Sequence, residues 1–430
     1  MLEKALNTTK RLIPNKIFNF FSPAYHWTLA FFAALIYRFP SREIKIIAVT
    51  GTKGKSSTTE ILNAILEEAG YKTALSNTIR FKIGNTTIPN KHKMSMPGRF
   101  FAQRFIREAV DKKCDYLIME MTSQGSLLYR HRFIELDTLV FTNISPEHIE
   151  AHGSYENYRD AKVNIAKNME RSSKTNRTII ANSDDKDSSY FLECKADRKI
   201  TYGIKNAEPF EVKKDSLIFS LNGKTVHSHL SGLFNLYNIL AASTAAQSHG
   251  VSDTNIIHAI EKFESIPGRV QKIELVSRSN LAKKQDFNVI VDYAHTPDSL
   301  EKFYGVFKGS RNICVLGGTG GGRDAWKRAE MGRIADEHCE KIILTNEDPY
   351  DEDPRKIVDD VAKGIKNKSP IIIMDRREAI REALRNARAG DNILITGKGT
   401  DPYIMGPRGT KTPWSDAGVA REEIEKFLSI

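Results

Sequence analysis

Val49-Thr50-Gly51-Thr52-Lys53-Gly54-Lys55-Ser56-Ser57-Thr58 is the stretch that decides the fold. Before it runs Ile44-Lys45-Ile46-Ile47-Ala48-Val49-Thr50, apolar and β-branched, with no helical period. After it an amphipathic helix pattern extends from about Ser57 to Gly70. Strand, glycine turn, Lys-Ser and helix form the arrangement that cradles phosphates. Gly51 and Gly54 let backbone N–H groups approach phosphate oxygens. Lys55 places a charge near the β- and γ-phosphates, and Ser56 is suited to Mg²⁺. Only Thr52 and Lys53 separate the two glycines, so the loop is shorter than the common form. A lone glycine-lysine turn would be an ordinary surface loop; the strand before it and the helix after it argue against that here.

The pattern continues outward. Strands are expected at Ile44–Thr50, Asp115–Met121, Thr138–Ile144 and Arg177–Asn182, with helix-period segments between them. This alternation predicts an α/β fold built on a mostly parallel sheet. A hairpin is expected around Asn222-Gly223, and a helix from Gly232 to Gly250. Ile266-Pro267-Gly268 reads as a domain boundary. A second α/β series, Rossmann-like, follows at Val289–Tyr293, Asn312–Leu316, Lys341–Thr345, Pro370–Met374 and Asn392–Thr396. The expected domains are an N-terminal helical segment (1–43), a central nucleotide-binding domain (44–267) and a C-terminal domain (268–430). Tandem domains of this kind set the expected active site in a cleft between them.

The chain has 430 residues, 40% hydrophobic and 27% charged, with a net charge of +11. The basic balance suits a solvated surface or the attraction of polyanionic ligands such as nucleotides. No arginine-rich arm or aromatic-basic repeat points to nucleic acid. Cys114, Cys194, Cys314 and Cys339 are widely spaced, so reduced thiols in a cytoplasmic protein are expected. Ile17–Tyr37 is apolar, but Pro23 is expected to divide it, and the piece after Pro23 is short for a membrane span. It reads as a helix packed on the next domain, with an interfacial membrane contact, helped by Lys10, Arg11 and Lys16, as the alternative.

Polar residues gather at the strand exits. Glu120 ends the second expected strand, where a carboxylate suits Mg²⁺. His148 follows the third strand, and Lys162 lies in a helical segment; each alone would read as structural or surface. Gly317 to Gly322, with Arg323-Asp324, is a glycine-rich strand exit.

Together these pieces resemble the Mur ligase family, most closely its MurE type. The resemblance is carried, in order, by Gly51 to Ser56, Met119-Glu120-Met121-Thr122-Ser123, Thr142-Asn143 through His148 to His152-Gly153, and Tyr158 to Lys162. It continues through Gly232 to Asn235 with Asn238, Pro267-Gly268-Arg269, and Asp292 to Pro297. Gly322-Arg323-Asp324 with Lys327-Arg328, and Gly397-Lys398-Gly399, complete it.

The resemblance implies an ATP- and Mg²⁺-dependent amide ligase of peptidoglycan synthesis, acting on small molecules through an acyl-phosphate. By resemblance the nucleotide is held by Gly51, Thr52, Lys53, Gly54, Lys55, Ser56, Ser57, Asn238, Arg269 and Asp292. Ser56, Glu120 and His148 would hold metal. Lys55, Glu120, His148, Lys162 (carbamylated) and Arg269 would be catalytic. Ser95, Thr122 and Arg130 would meet the acceptor, and Arg323, Asp348, Tyr350, Gly397 and Asp401 the incoming amino acid. Three departures stand out. Only 43 residues precede the first strand, where MurE-type enzymes usually carry a uridine-nucleotide domain. Gln124 replaces a histidine. The motif Asp-Asn-Pro-Arg, which goes with meso-diaminopimelate, stands as Glu347-Asp348-Pro349-Tyr350, without its arginine. A folylpolyglutamate-synthase-like or pseudomurein-type ligase, or an ATP-binding scaffold without ligase chemistry, is the alternative.

Overall fold

The strand that precedes the glycine turn is the middle of the first sheet. The computed structural model describes residues 15–147, 149–275, 285–322 and 325–429, with side chains from residue 21. The first compact unit takes residues 1–204 and 238–256. Its strands are β1 (Lys45–Thr50), β2 (Thr73–Ser76), β3 (Arg80–Ile83), β4 (Thr86–Pro89), β5 (Tyr116–Glu120), β6 (Thr138–Phe141), β7 (Thr178–Asn182) and β8 (Arg198–Tyr202). They lie in the order β4-β3-β2-β5-β1-β6-β7-β8. All neighbours are parallel except the β2–β3 and β3–β4 pairs. β1 therefore lies between β5 and β6, and the three strand exits adjoin. Ile46, Ala48, Leu117, Met119, Leu139 and Phe141 bury one face of this sheet. Ile47, Val49 and Ile118 are buried as well, which is why these strands read as continuous apolar runs. Truncating Ile46, which has no exposed surface, would cost about 2–5 kcal/mol.

The second unit takes residues 205–237 and 257–430. β9 (Phe210–Val212), β10 (Leu217–Leu221) and β11 (Lys224–Ser228) form a small antiparallel sheet. Asn222 and Gly223, both with positive φ, make its expected two-residue turn. β12 (Gln271–Lys272), β13 (Asn288–Asp292), β14 (Asn312–Leu316), β15 (Lys341–Leu344), β16 (Ile371–Ile372) and β17 (Asn392–Thr396) form a sheet in the order β12-β13-β17-β14-β15-β16, parallel apart from β12. Alternate residues of its strands feed two cores. Cys314 and Leu316 face one, and Ile313 and Val315 face the other. β18 (Tyr403–Met405) and β19 (Lys411–Pro413) pair alone.

Two expectations are corrected. The N-terminal helix runs unbroken from Asn15 to Ile36 with Pro23 inside it. Pro23 is exposed, so water can serve the carbonyl that the missing N–H leaves free one turn earlier. The helix does pack on the first unit, through buried Ala30, Ala33 and Ala34 and an edge contact from Trp27 to Phe133. Cys314 and Cys339 are not free thiols but joined, with Cα atoms 6.0 Å apart. Cys314 lies within β14, and Cys339 ends the helix that leads into β15, the parallel neighbour of β14. That crossover, invisible in a 25-residue spacing, brings the sulfurs together. Cys114 and Cys194 are free and buried.

Candidate active site

The exit of β1 is bound on one side by the exit of β6. Thr52 donates its N–H to the Asn143 carbonyl at 2.7 Å, and Lys53 donates its N–H to Asn143 Oδ1 at 3.0 Å. Thr142 returns its hydroxyl to the Lys53 carbonyl at 2.8 Å. Both loop glycines have positive φ. A Cβ at Gly51 would meet Thr142 Oγ1 at 2.0 Å, and one at Gly54 would meet Asn238 Oδ1 at 2.3 Å. Only glycine fits either position. Asn238 also accepts from the Thr58 hydroxyl at 3.4 Å. The resemblance implies that it is a nucleotide ligand, and the fold sets it against the turn.

Ser56 and Ser57 are buried in the first turn of helix Lys55–Glu68, whose positive end faces the loop. Lys55 folds back over the turn, donating to the carbonyls of Gly51 at 3.0 Å and Thr52 at 2.9 Å. Lys162, from helix Tyr155–Met169, also reaches Gly51 and donates to its carbonyl at 2.7 Å. Far from being a surface lysine, it is 2% exposed. Burial pushes its amine well below the usual lysine range, and the nearby charge of Lys55 adds to that, against a pull from Glu147. Lys53 pairs with Glu147 at 3.0 Å.

On the other side of β1, β5 delivers Glu120, paired in register with Val49. Its carboxylate has no exposed surface. It accepts from the Ser95 hydroxyl at 2.7 Å, and from the Thr78 hydroxyl and N–H at 3.0 and 3.1 Å. Ser95 is thus a neighbour of Glu120. Thr122 caps helix Ser123–Leu127 by accepting from Gly125 N–H at 3.1 Å. Arg130 donates to the Met96 carbonyl and lies 3.8 Å from Met94 Sδ, on either side of Ser95. A Cβ at Gly125 would lie 2.4 Å from Met96 Sδ and 3.1 Å from Thr122 Oγ1. The fold therefore gathers Ser95, Thr122 and Arg130 about residues 94–96. Burial lowers the Arg130 pKa.

The second unit holds its own constellation. Asp292, at the exit of β13, accepts from the N–H groups of Val270 and Ala294, both at 2.7 Å. Arg269 lies with its guanidinium 4.5 Å from the Tyr293 ring centre and donates to the Gly268 carbonyl. Lys398, fully buried, bridges Asp348 at 2.7 Å and Asp401 at 3.3 Å. Both carboxylates expected to meet the incoming amino acid thus share one ammonium. Tyr350 holds a positive φ and covers Gly321, where a Cβ would meet its ring at 3.1 Å. Gly397, also at positive φ, faces Glu347: a Cβ there would meet Glu347 Oε2 at 2.8 Å.

Glu347, in the sequence no more than a motif position, completes this group. Its Oε1 accepts from Thr319 at 2.8 Å, and its buried Oε2 has no partner among the described residues. Burial and the Asp348 charge raise its pKa. No spacing rule marks such a residue; an acid beside a glycine-rich exit was the one available hint. His148 and Arg323 lie outside the described residues.

Ser56 and Glu120 offer hard oxygen donors at adjoining strand and helix ends, a donor set that fits Mg²⁺. Residues 49–246 match the Mur ligase middle domain, and residues 274–399 match the Mur ligase glutamate ligase domain. The chain is 35% identical over 398 residues to the UDP-N-acetylmuramoyl-L-alanyl-D-glutamate--2,6-diaminopimelate ligase of Syntrophomonas wolfei subsp. wolfei, covering 89% of this chain and 79% of that one.

The chain belongs to the Mur ligase family.

The ligase of the same name from Clostridium botulinum is 36% identical over 391 residues, covering 87% of this chain and 77% of the relative. A solved diaminopimelate ligase structure aligns at 26% identity with a TM-score of 0.60, over 89% and 78% of the two chains. Mycobacterium tuberculosis folylpolyglutamate synthase aligns at 14% identity with a TM-score of 0.70, over 92% and 94%, a likeness of fold. This Mur ligase is an ATP-dependent acid–amino-acid ligase with an α/β fold, as its motifs led us to expect.

Proposed function

We propose that this Mur ligase adds an amino acid to a peptide-bearing, anionic cell-wall precursor in the cytoplasm, in the manner its relatives' names describe. The observation that carries the reading is the buried Lys162 amine on the Gly51 carbonyl, beside Lys55. A plain phosphate loop has no use for a second, desolvated lysine. We take the working division of the chain as 44–267 for nucleotide and acceptor and 268–430 for the amino acid.

The acceptor carboxylate attacks the γ-phosphorus of ATP, and the bond to the β–γ bridging oxygen breaks, releasing ADP and an acyl-phosphate. The amino acid's neutral amine then attacks the acyl carbon, phosphate leaves, and the nitrogen loses its proton as the amide forms. Lys55 turns from the loop carbonyls to the transferring phosphate and neutralises its charge. Gly51 to Ser57, with Asn238, hold the nucleotide, and by resemblance Arg269 and Asp292 are nucleotide-binding residues as well. Mg²⁺, held by Ser56 and Glu120 with a second ion at His148, would screen the phosphates. Burial shifts the Lys162 amine towards its neutral form, which is a nucleophile for CO₂: its nitrogen bonds the carbon, a proton leaves, and a carbamate results. That group supplies a carboxylate where the sequence has a lysine. Ser95, Thr122 and Arg130 meet the acceptor.

Arg323 would take the α-carboxylate of the incoming amino acid. Asp348 and Asp401 already hold the Lys398 ammonium, and Glu347, whose Oε2 has no partner among the described residues, is the acid we assign to a side-chain ammonium. Its second carboxylate sets meso-diaminopimelate apart, and Tyr350 stands where the motif's arginine would pair with it. We therefore assign lysine, or another amino acid without a second carboxylate, to this site.

Phosphate release from ATP, screened over amino acids with UDP-N-acetylmuramoyl-L-alanyl-D-glutamate as acceptor, tests the reading. Release should need both acceptor and amino acid. Release that ignores both would leave an ATPase, and none with any acceptor would leave a scaffold.

A further inference from the structure

Two buried asparagines, Asn77 and Asn90, lie outside the residues assigned to the reaction. Asn77 has no exposed surface, and Asn90 is 2% exposed. A buried amide is costly unless its donors and acceptor are met. The partners of these two surround the oxygen donors assigned to Mg²⁺.

Asn77 follows β2, whose last residue, Ser76, is paired with Met119 of β5, so it emerges next to Glu120. Its Oδ1 accepts from the N–H groups of Ile79 and Arg80 at 2.9 and 2.8 Å. That closes a turn around Thr78, which gives both its hydroxyl and its N–H to Glu120. Asn77 Nδ2 donates to Thr59 Oγ1 at 3.1 Å and to Glu60 Oε1 at 2.9 Å, both on helix Lys55–Glu68. The Thr59 hydroxyl donates in turn to the Ser56 carbonyl at 2.8 Å. Asn90 Nδ2 closes the other side, donating to the carbonyls of Asn77 at 2.7 Å and Met94 at 3.0 Å. Met94 precedes Ser95, the remaining donor to Glu120.

Asn77 is thus one residue away from each expected metal ligand, through Thr59 from Ser56 and through Thr78 from Glu120. The Glu120 carboxylate keeps capacity for a cation. Its Oε2 accepts both hydroxyls, and its Oε1 accepts only the Thr78 N–H among the described residues. Each oxygen has two lone pairs. Partners that fix a ligand's orientation in this way set much of a site's metal affinity.

We propose that Asn77, with Asn90 behind it, is a positioning residue for Mg²⁺ that fixes Glu120 relative to Ser56. It ties the helix that starts at the phosphate turn to the carboxylate at the exit of β5. The inference rests on the assignment of Ser56 and Glu120 to Mg²⁺.

The test measures how much Mn²⁺, in place of Mg²⁺, tightens the binding of a non-hydrolysable ATP analogue to the full chain, by calorimetry with Mn²⁺ and with EDTA. Asn77→Ala should shrink that gain at least about tenfold and leave the EDTA affinity within about twofold. Asn77→Asp keeps the acceptor for Ile79 and Arg80 and loses the donation to Thr59 and Glu60. It should shrink the gain as well, and it stands in if the alanine variant does not fold. Asn63→Ala is the control. Asn63 is buried on the same helix but bonds Thr73 and Glu67, so its loss should lower the melting temperature without changing the gain. An unchanged gain in a folded Asn77 variant overturns the proposal and leaves the Mg²⁺ assignment standing. An equal loss in Asn63→Ala also overturns it, since general loosening would then suffice. No gain from Mn²⁺ in the native chain would remove the Mg²⁺ assignment and the proposal together.

Discussion

Lys55 and Lys162 donate to one oxygen, the carbonyl of Gly51, at 3.0 and 2.7 Å. The two amines come from different helices, more than 100 residues apart, and the Lys55 charge helps lower the Lys162 pKa. In the proposed reaction Lys55 would turn to a phosphate, leaving Lys162 on the Gly51 carbonyl. Lys55→Ala should therefore cut ligation by about 10²–10³-fold, the scale of losing one group that stabilises developing charge. Near-normal turnover, measured as ADP release, would remove Lys55 from the reaction.

Lys162→Ala should cripple turnover to a similar degree, and acetate or formate should partly restore it by standing in for the carbamate. Intact-mass measurement under CO₂ should find one added CO₂ on the native chain and none on the variant. An unmodified amine in active enzyme would defeat the assignment.

Gly54→Ala should cost about 1–2 kcal/mol of backbone strain, besides forcing Asn238 away from a Cβ built 2.3 Å from its Oδ1. ATP affinity should fall at least tenfold, read by titration calorimetry. Pairing the change with Asn238→Ala should recover only part of it, because the positive φ remains.

Tyr350→Arg should move preference from lysine towards meso-diaminopimelate, and Glu347→Gln should raise the KM for lysine about tenfold or more. Competition between the two amino acids decides it. A native preference for meso-diaminopimelate would overturn the pocket assignment, and Arg355, five residues from Tyr350, would then be the candidate for its second carboxylate.

Glu423 tests the second unit's stability. Burial raises its pKa, but hydrogen bonds from Arg381, Lys426 and Arg377 outweigh that and hold it at about 2. A carboxyl depressed in the folded state stabilises at pH above its unfolded value, near 4.5, and that contribution is lost as pH falls from there towards 2. Glu423→Gln should lower the melting temperature at pH 7 and by much less near pH 2.5. An equal gap at both values would contradict the ion-pair account.

Much of this was legible because β1, β5, β6, β14 and β17 are buried on both faces and so spell unbroken apolar runs that end in polar residues. Glu120 sits at such an end. β4 was missed for the converse reason: it is the edge strand, exposed throughout, and Thr86-Thr87-Ile88-Pro89 has no apolar run, while β2, β3 and β8 were missed because four or five residues leave too short a run to read. Lys162 was named by resemblance, but its burial is a tertiary fact that no helix period carries. The Asp348–Lys398 pair joins positions 50 residues apart, and the Cys314–Cys339 bond depends on a crossover. Pro23 misled because a proline rule assumes a carbonyl with no other partner, and at an exposed turn water serves.

The contact of Asn238 with the phosphate turn also has a consequence in time. Thr58 and Asn238 are 180 residues apart in the chain. At about 5–20 residues per second of synthesis, roughly 9 to 36 s separate the emergence of the turn from that of the residue that braces it. Through that interval the nascent chain carries the whole glycine-lysine sequence and still lacks the side chain set against Gly54. The turn thus gains its brace late in synthesis, after the strands around β1 have been made.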